Sequence, residues 1–252
     1  MPIAVATWNV NGIRARAAQV HEWLDAHRPE IFCLQEIKAK PEQIPAEALG
    51  ALDDYWVAWH GAGGYSGVAL GVRRDVSTTE PAFTHPGFDF ETRAIAVTVG
   101  GIEFSSLYVP NGGKDFPAKM RFLGEVRDWL AGDPGGDARR VVCGDFNVAR
   151  EARDIHPKER KAGQIGARPE ERALFAEWLA AGLLDVGREL DPGNDELFTW
   201  WPPWRSMRQR NIGWRIDYIL AGLPLGRRAT SCKVQSEFGT SDHAPVLATF
   251  DV

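Results

Sequence analysis

Ile-Ala-Val-Ala-Thr-Trp-Asn-Val-Asn-Gly, residues 3–12, is a short apolar run that closes on an Asn-Gly pair. Ile3, Val5, Thr7 and Trp8 suit a strand, and Asn-Gly is the strongest short turn signal. The stretch therefore reads as a strand that delivers polar side chains at its own end. The same grammar returns in Ile-Phe-Cys-Leu-Gln-Glu (31–36) and in Arg-Val-Val-Cys-Gly-Asp-Phe-Asn (140–147). Extended over the chain, it predicts strands at 3–8, 31–35, 55–59, 67–72, 94–99, 102–108, 140–143, 215–220, 233–236 and 246–250. Apolar residues at helical spacing predict helices at 19–27, 117–131 and 169–181, with Gly182 as a C-cap for the third.

An internal echo bears on the fold class. Strand 140–143, loop, helix and Leu183-Leu184-Asp185-Val186 mirror strand 3–8, loop, helix and strand 31–35. Two such halves, each with its own sheet, would pack as an α/β sandwich with helices outside. No Ser/Pro-rich linker divides the chain, so residues 1–252 read as one domain.

At 44% hydrophobic and 25% charged, the 252 residues have the composition of an ordinary globule. A chain this long buries roughly three-quarters of its unfolded surface and needs no disulfide staple. Its three cysteines form no CxxC pair, and Cys33 and Cys143 sit in apolar runs, as small buried hydrophobes do. With no basic apolar leader and no membrane-length apolar stretch, the expectation is a soluble cytoplasmic protein, nucleoid-associated if the cell is bacterial. The net charge of −5 does not exclude a nucleic-acid partner, because binding depends on the local patch rather than the far field. Arg205, Arg208, Arg210 and Arg215 interleave with Trp204 and Trp214, a pattern that suits a phosphate-tracking groove. The stretch 150–172 is also basic, with acids mixed in.

Polar residues gather where strands end: Asn9 and Asn11, Glu36, Tyr108 and Asn111, and Asp145 and Asn147, with Asp217 inside an apolar strand and Asp242-His243 before the last. Each has an ordinary reading as a turn, surface or core residue. Together they read as one assembled site. Gly64-Tyr65-Ser66-Gly67 lacks the spacing of a serine nucleophile elbow, and only one histidine belongs to the set, which disfavours zinc. Oxygen ligands from Glu36, Asn9 and Asp242 suit a hard cation, Mg²⁺ or Mn²⁺, and a hard cation beside His, Asp, Asn and Tyr suits phosphoryl chemistry.

Trp-Asn-Val-Asn-Gly-Ile-Arg-Ala (8–15), Leu-Gln-Glu (34–36), Tyr-Val-Pro-Asn (108–111), Gly-Asp-Phe-Asn (144–147), Trp-Arg-Ile-Asp-Tyr (214–218) and Ser-Asp-His-Ala-Pro-Val (241–246) resemble, in order, the exonuclease III family of abasic endonucleases. That family lies within the wider endonuclease/exonuclease/phosphatase fold. The resemblance covers nearly the whole chain. It implies a DNase I-like four-layer α/β sandwich, two packed mixed sheets flanked by helices. It also implies cleavage of duplex DNA at abasic sites or blocked 3′ ends, with no obligate protein partner and a monomer as the working unit. Glu36, with Asn9, Asn11 and Asp242 near it, would hold Mg²⁺, with Mn²⁺ as a substitute. Asp145, helped by Asn147, would deprotonate the attacking water. His243, paired with Asp217, would carry positive charge to the phosphate, and Tyr108 and Asn111 would hydrogen-bond it. Trp200, Trp214 and Ile216 would line the pocket for a baseless sugar, and Arg14 and Tyr65 would touch the DNA.

Three departures stand out. Asn11 replaces an aspartate of some relatives, 110–117 is short, and Trp214 stands where some bacterial relatives carry a smaller aliphatic residue. The last favours the abasic cut over processive exonuclease action. Two rival readings are an inositol-phosphate or phospholipid hydrolase of the same fold and a non-catalytic binder of damaged DNA. The second is disfavoured because carboxylates facing phosphate without a cation repel it.

Overall fold

Alternating burial along the strands decides how the layers stack. The computed structural model describes residues 2–132 and 139–252. In it β1 (Pro2–Asn9) and β2 (Ile31–Gln35) run parallel, joined by the crossover helix α1 (Ile13–His27). Val5, Ile31 and Cys33 point to one face, whereas Ala6, Trp8, Phe32 and Leu34 point to the other. That is the period-two pattern of strands buried on both sides. The outward set packs on Val20, Trp23 and Leu24 of α1, which share one helix face.

With β3 (Tyr55–His60) and β4 (Val68–Arg73), and with β11 (Ala229–Val234) and β12 (Val246–Asp251), these strands form a six-stranded sheet in the order β11-β12-β1-β2-β4-β3. The second sheet comprises β5 (Phe83–Thr84), β6 (Ala94–Val99), β7 (Ile102–Tyr108), β8 (Arg140–Asp145), β9 (Leu183–Asp185) and β10 (Asp217–Gly222), in the order β5-β6-β7-β8-β10-β9. Ile95, Val97, Phe104, Val141, Cys143 and Ile219 of the second sheet meet the inner residues of the first. On its outer face, Leu107, Val142 and Leu220 receive Phe122, Leu123 and Val126 from α2 (Phe116–Ala131) and Phe175 and Trp178 from α3 (Pro169–Ala180). The short helices α4 (Val186–Leu190) and α5 (Leu223–Gly226) flank β9 and β10. Helix, sheet, sheet and helix make the four-layer α/β sandwich.

Several boundaries differ from the sequence reading. α1 begins at Ile13 rather than 19, because Gly12 at φ 103 turns the chain and Ile13, Ala17 and Val20 continue the buried face. The strand expected at 233–236 is β11, Ala229–Val234, a half-exposed edge strand with weak alternation. β5 was not anticipated, being two residues long. The internal echo falls on a different unit from the one the sequence suggests. The counterpart of β1-α1-β2 is β7-α2-β8, also a parallel pair, while β10 separates β9 from β8. Cys33 and Cys143 are fully buried. Gly144 is a required glycine: its φ is 152, and an added Cβ would lie 1.9 Å from the Leu107 carbonyl oxygen. This close approach of β8 to β7 fixes where Asp145 emerges. Among the described residues, no helix is long and apolar enough to cross a membrane.

Candidate active site

Strand direction brings the polar residues together. β1, β2, β7 and β8 end at one rim of the sandwich. β10 and β12 run antiparallel to their neighbours, so their starts lie at the same rim. Register aligns Tyr108 with Asp145 and Asp145 with Asp217 in one sheet, and Asn9 with Gln35 in the other. Just past the strands, Asn11, Glu36 and Asn147 take left-handed φ of 45°, 50° and 51°. That backbone costs roughly 1–2 kcal/mol at Glu36 and less at the asparagines. Hydrogen bonds hold it: the Gly12 amide donates to the Glu36 carbonyl at 2.7 Å, and the Asn147 amide to Asp145 Oδ1 at 2.9 Å.

The side chains form one connected web. Asn9 Nδ2 donates to Glu36 Oε1 at 3.1 Å and to Asp145 Oδ2 at 2.9 Å, while Tyr108 donates its hydroxyl to Glu36 Oε1 at 2.7 Å. Asn147 Nδ2 approaches Asp145 Oδ2 at 3.3 Å and donates to the Val109 carbonyl at 2.9 Å. Asn111 Nδ2 reaches Asn147 Oδ1 at 3.4 Å. His243 Nδ1 lies 2.9 Å from Asp217 Oδ2, and its Nε2 lies 3.8 Å from Asp145 Oδ2. Asp242 accepts from Asn11 Nδ2 at 2.8 Å and from Trp200 Nε1 at 2.9 Å.

Ligand-capable atoms of Glu36, Asp145 and His243 lie within 4.8 Å of one another. The donor chemistry fits a cation, because one already touches it: the Lys38 ammonium sits 2.6 Å from both Glu36 Oε2 and Asn11 Oδ1. Asn9 turns its nitrogen, not its oxygen, toward the two carboxylates, and its Oδ1 accepts from the Asn11 amide at 3.0 Å.

Burial pushes the Asp145 carboxyl up to about 7, with His243 pulling it down and Asp217 and Glu36 pushing it further up. A carboxylate poised near neutrality suits a proton acceptor. His243 moves the other way. Burial favours the neutral ring, but Asp217 and Asp145 outweigh it and hold the imidazolium to about 10. Burial also raises Glu36 and Asp242, yet both end below the usual carboxylate range, through Lys38 and Asn9 at Glu36 and through His243, Trp200 and Asn11 at Asp242.

Beside this cluster opens a cavity of about 540 Å³ whose walls include Trp200, Trp214 and Ile216 as well as Glu36, Tyr108, Asn111, Asp145, Asn147, Asp242 and His243. The structure leaves two expected contacts outside it. Arg14 is exposed on the first turn of α1. Tyr65, 55% exposed, lies over a neighbouring cleft, where Arg93 donates to its hydroxyl at 2.9 Å.

The arginine run needs correction as a phosphate-tracking groove. Arg215 is buried and paired with Asp154 and Asp185, and Arg208 donates to the carbonyls of Ser236, Phe238, Gly239 and Ser241. Only Arg205 and Arg210 of the four face solvent, next to the exposed Trp204.

Sequence reading missed three supports. Lys38 was not singled out. Thr199 donates to Asp217 Oδ2 at 2.6 Å while accepting from the Ile216 and Asp217 amides. Lys119, fully buried and paired with Glu171 at 2.5 Å, donates to the Asn147 and Asn111 carbonyls. Lys161 and Gln164, which reach the cavity, fall in the basic stretch that sequence did flag.

Comparison with known proteins agrees with this architecture. The model of the Endonuclease/Exonuclease/phosphatase family matches residues 6–243. The DNA repair nuclease APEX1 of Danio rerio is 31% identical over 249 residues, covering 96% of this chain and 80% of that protein. Among solved structures, an AP endonuclease from Archaeoglobus fulgidus aligns with a TM-score of 0.88 at 30% identity, covering 99% of this chain and 100% of that one. A 3′ phosphatase from Neisseria bound to a product DNA hairpin aligns with a TM-score of 0.89 at 30% identity and the same coverage.

Proposed function

The chain belongs to the Endonuclease/Exonuclease/phosphatase family, and we propose that it is a magnesium-dependent DNA-repair phosphodiesterase. It cleaves duplex DNA 5′ to abasic sites, leaving a 3′-hydroxyl and a 5′-deoxyribose phosphate, and trims blocked 3′ ends with 3′-to-5′ exonuclease action. The observation that carries this reading is the meeting of Glu36, Asp145 and His243 within 4.8 Å beside a cavity walled by Trp200, Trp214 and Ile216. Resemblance to a DNA repair nuclease and to a 3′ phosphatase holding product DNA supports the substrate.

Asp145 takes a proton from the attacking water, with Asn147 and Asn9 fixing the carboxylate. His243, held by Asp217, presents its imidazolium to the phosphate as charge builds there. Tyr108 and Asn111 donate to phosphate oxygens. Glu36, with Asp242 and Asn11 beside it, would hold Mg²⁺ or, in its place, Mn²⁺, whereas Asn9, expected as an oxygen ligand, turns its amide nitrogen to Glu36 and orients that carboxylate instead. Bound there, the ion supplies positive charge to a phosphate oxygen under attack. A nucleotide without a base has no stack to lose, so extruding it costs less than flipping an intact one. The indole walls exclude water around the sugar. The working unit is a monomer without an obligate protein partner, acting in the cytoplasm or on a bacterial nucleoid.

Two measurements test the metal and its place. A synthetic abasic duplex is cut 5′ to the abasic site, to a 3′-hydroxyl product, with Mg²⁺ and is left whole in excess chelator. Cutting that persists in chelator, or turnover of an inositol phosphate in preference to the duplex, overturns the reading. Lys38→Gln removes the ammonium that competes for Glu36 and Asn11, so the Mg²⁺ concentration for half-maximal rate falls several-fold. A rise in that concentration would place the ion away from Glu36.

A further inference from the structure

Two histidines that the nuclease centre does not use stand at the same rim, at the outer edge of the two sheets. β3 and β5 are the outer strands at the same edge of the two sheets. His60 is the last residue of β3, His85 directly follows β5, and Asp89 lies in the turn that leads into β6. We propose that His60, His85 and Asp89 form a second metal site, which takes a borderline divalent ion of the zinc type and clips the two sheets together at this open edge.

The geometry is that of a prearranged site. One ligand atom from each of the three residues lies within 4.8 Å of the other two. His60 Nε2 is 2.6 Å from Asp89 Oδ2, and the two imidazole rings lie 3.9 Å apart, tilted by 32°. His85 Nδ1 faces the Ala94 carbonyl at 3.3 Å. As a donor there, it leaves Nε2 with the free lone pair that a metal requires. The other Asp89 oxygen is held by the Arg93 and Ala94 amides at 2.7 and 2.8 Å, so the carboxylate is oriented before any ion arrives. His60 and Asp89 are largely buried, at 22% and 12% side-chain exposure, while the exposed His85 leaves a path for entry and room for a water ligand.

Two imidazoles and one carboxylate with an open fourth position suit Zn²⁺, and related ions such as Co²⁺, far better than Mg²⁺. Binding takes the His60 Nε2 lone pair, so the hydrogen bond to Asp89 Oδ2 is given up and the neutral ring carries its proton on Nδ1. The ligands come from both sheets, so the ion stabilises the folded chain by linkage.

The test titrates Co²⁺ and Zn²⁺ into the metal-free full chain and counts equivalents. One equivalent, with the visible spectrum of tetrahedral Co²⁺, persists in Glu36→Gln and vanishes in His85→Gln and in His60→Gln. Saturating Zn²⁺ raises the unfolding midpoint of the unaltered chain by about 5 °C. It does not move the midpoint of His85→Gln, whose Mg²⁺-dependent cleavage is unchanged. Equal binding and an equal shift in His85→Gln, or no equivalent beyond the one lost in Glu36→Gln, overturns the proposal and leaves a hydrogen-bonded clasp.

Discussion

Asp145→Asn lowers kcat on an abasic duplex by about 10³- to 10⁴-fold while duplex binding holds or tightens. An amide cannot take a proton from water, so the loss falls on the chemical step. The cavity also loses a negative charge that faces the incoming phosphate, so affinity does not fall with rate. The substitution has a local cost. The carboxylate accepts from the Asn147 amide, Asn9 Nδ2 and Asn147 Nδ2, and no acid or hydroxyl donor competes for those positions. Either orientation of an asparagine amide turns an N–H toward one of those donors, which costs roughly 1–3 kcal/mol of stability. Rate, binding and thermal midpoint therefore have to be measured on the same preparation. A variant that binds abasic duplex and unfolds near the unaltered chain, yet cuts at the same rate, removes Asp145 from the chemistry. His243→Ala serves as the paired test, because its Nε2 lies 3.8 Å from Asp145 Oδ2 and its removal is expected to lose rate without the donor conflict.

What could be read in the sequence follows from what is local. Period-two alternation and the Asn, Asp and Glu residues at strand ends are properties of a few consecutive residues. They placed most strands and most of the residues that meet at the rim. α1 was cut short because its first turn overlaps the polar segment Asn11-Gly12, whose turn signal masked the buried series Ile13, Ala17 and Val20. β5 and the edge strand β11 carry too little alternation to show themselves. Lys38, Thr199 and Lys119 were invisible for another reason. Each acts on a partner brought near only by folding, and Lys119 looks like any lysine on a helix until α2 presses it beneath Asn111 and Asn147. The arginine run misled because charge density does not say which way a side chain faces. Arg208 and Arg215 spend their charge on carbonyls and carboxylates inside the molecule.

Arg215 is accordingly a position where a single change costs heavily in stability. Its guanidinium lies 2.8 Å from Asp154 Oδ1 and 2.7 Å from Asp185 Oδ2, with Arg188 completing the cluster at 2.7 Å from Asp154 Oδ1. All four side chains are buried, so Arg215→Met keeps volume but leaves Asp154 to Arg188 alone and Asp185 to the part-exposed Arg150, under-compensated in low dielectric. Such a loss costs roughly 3–5 kcal/mol, or about 10 °C in midpoint for a chain this size. The pH dependence identifies the cause. Burial raises the Asp185 carboxyl, but Arg215 and Arg150 more than reverse this and hold it below 3.8. In the unaltered chain, that depression contributes stability above pH 3.8, which drains away as pH falls through the folded value. In the variant, burial acts with less opposition and the carboxyl rises, so acid protonates it in place and relieves the penalty. The two unfolding curves therefore lie furthest apart at neutral pH and converge toward acid. Adding Asp185→Asn, which keeps the acceptor for the Arg188 amide, recovers part of the loss at neutral pH. A gap between the curves that stays constant from neutral to acid pH would show that lost packing, not a stranded charge, sets the cost.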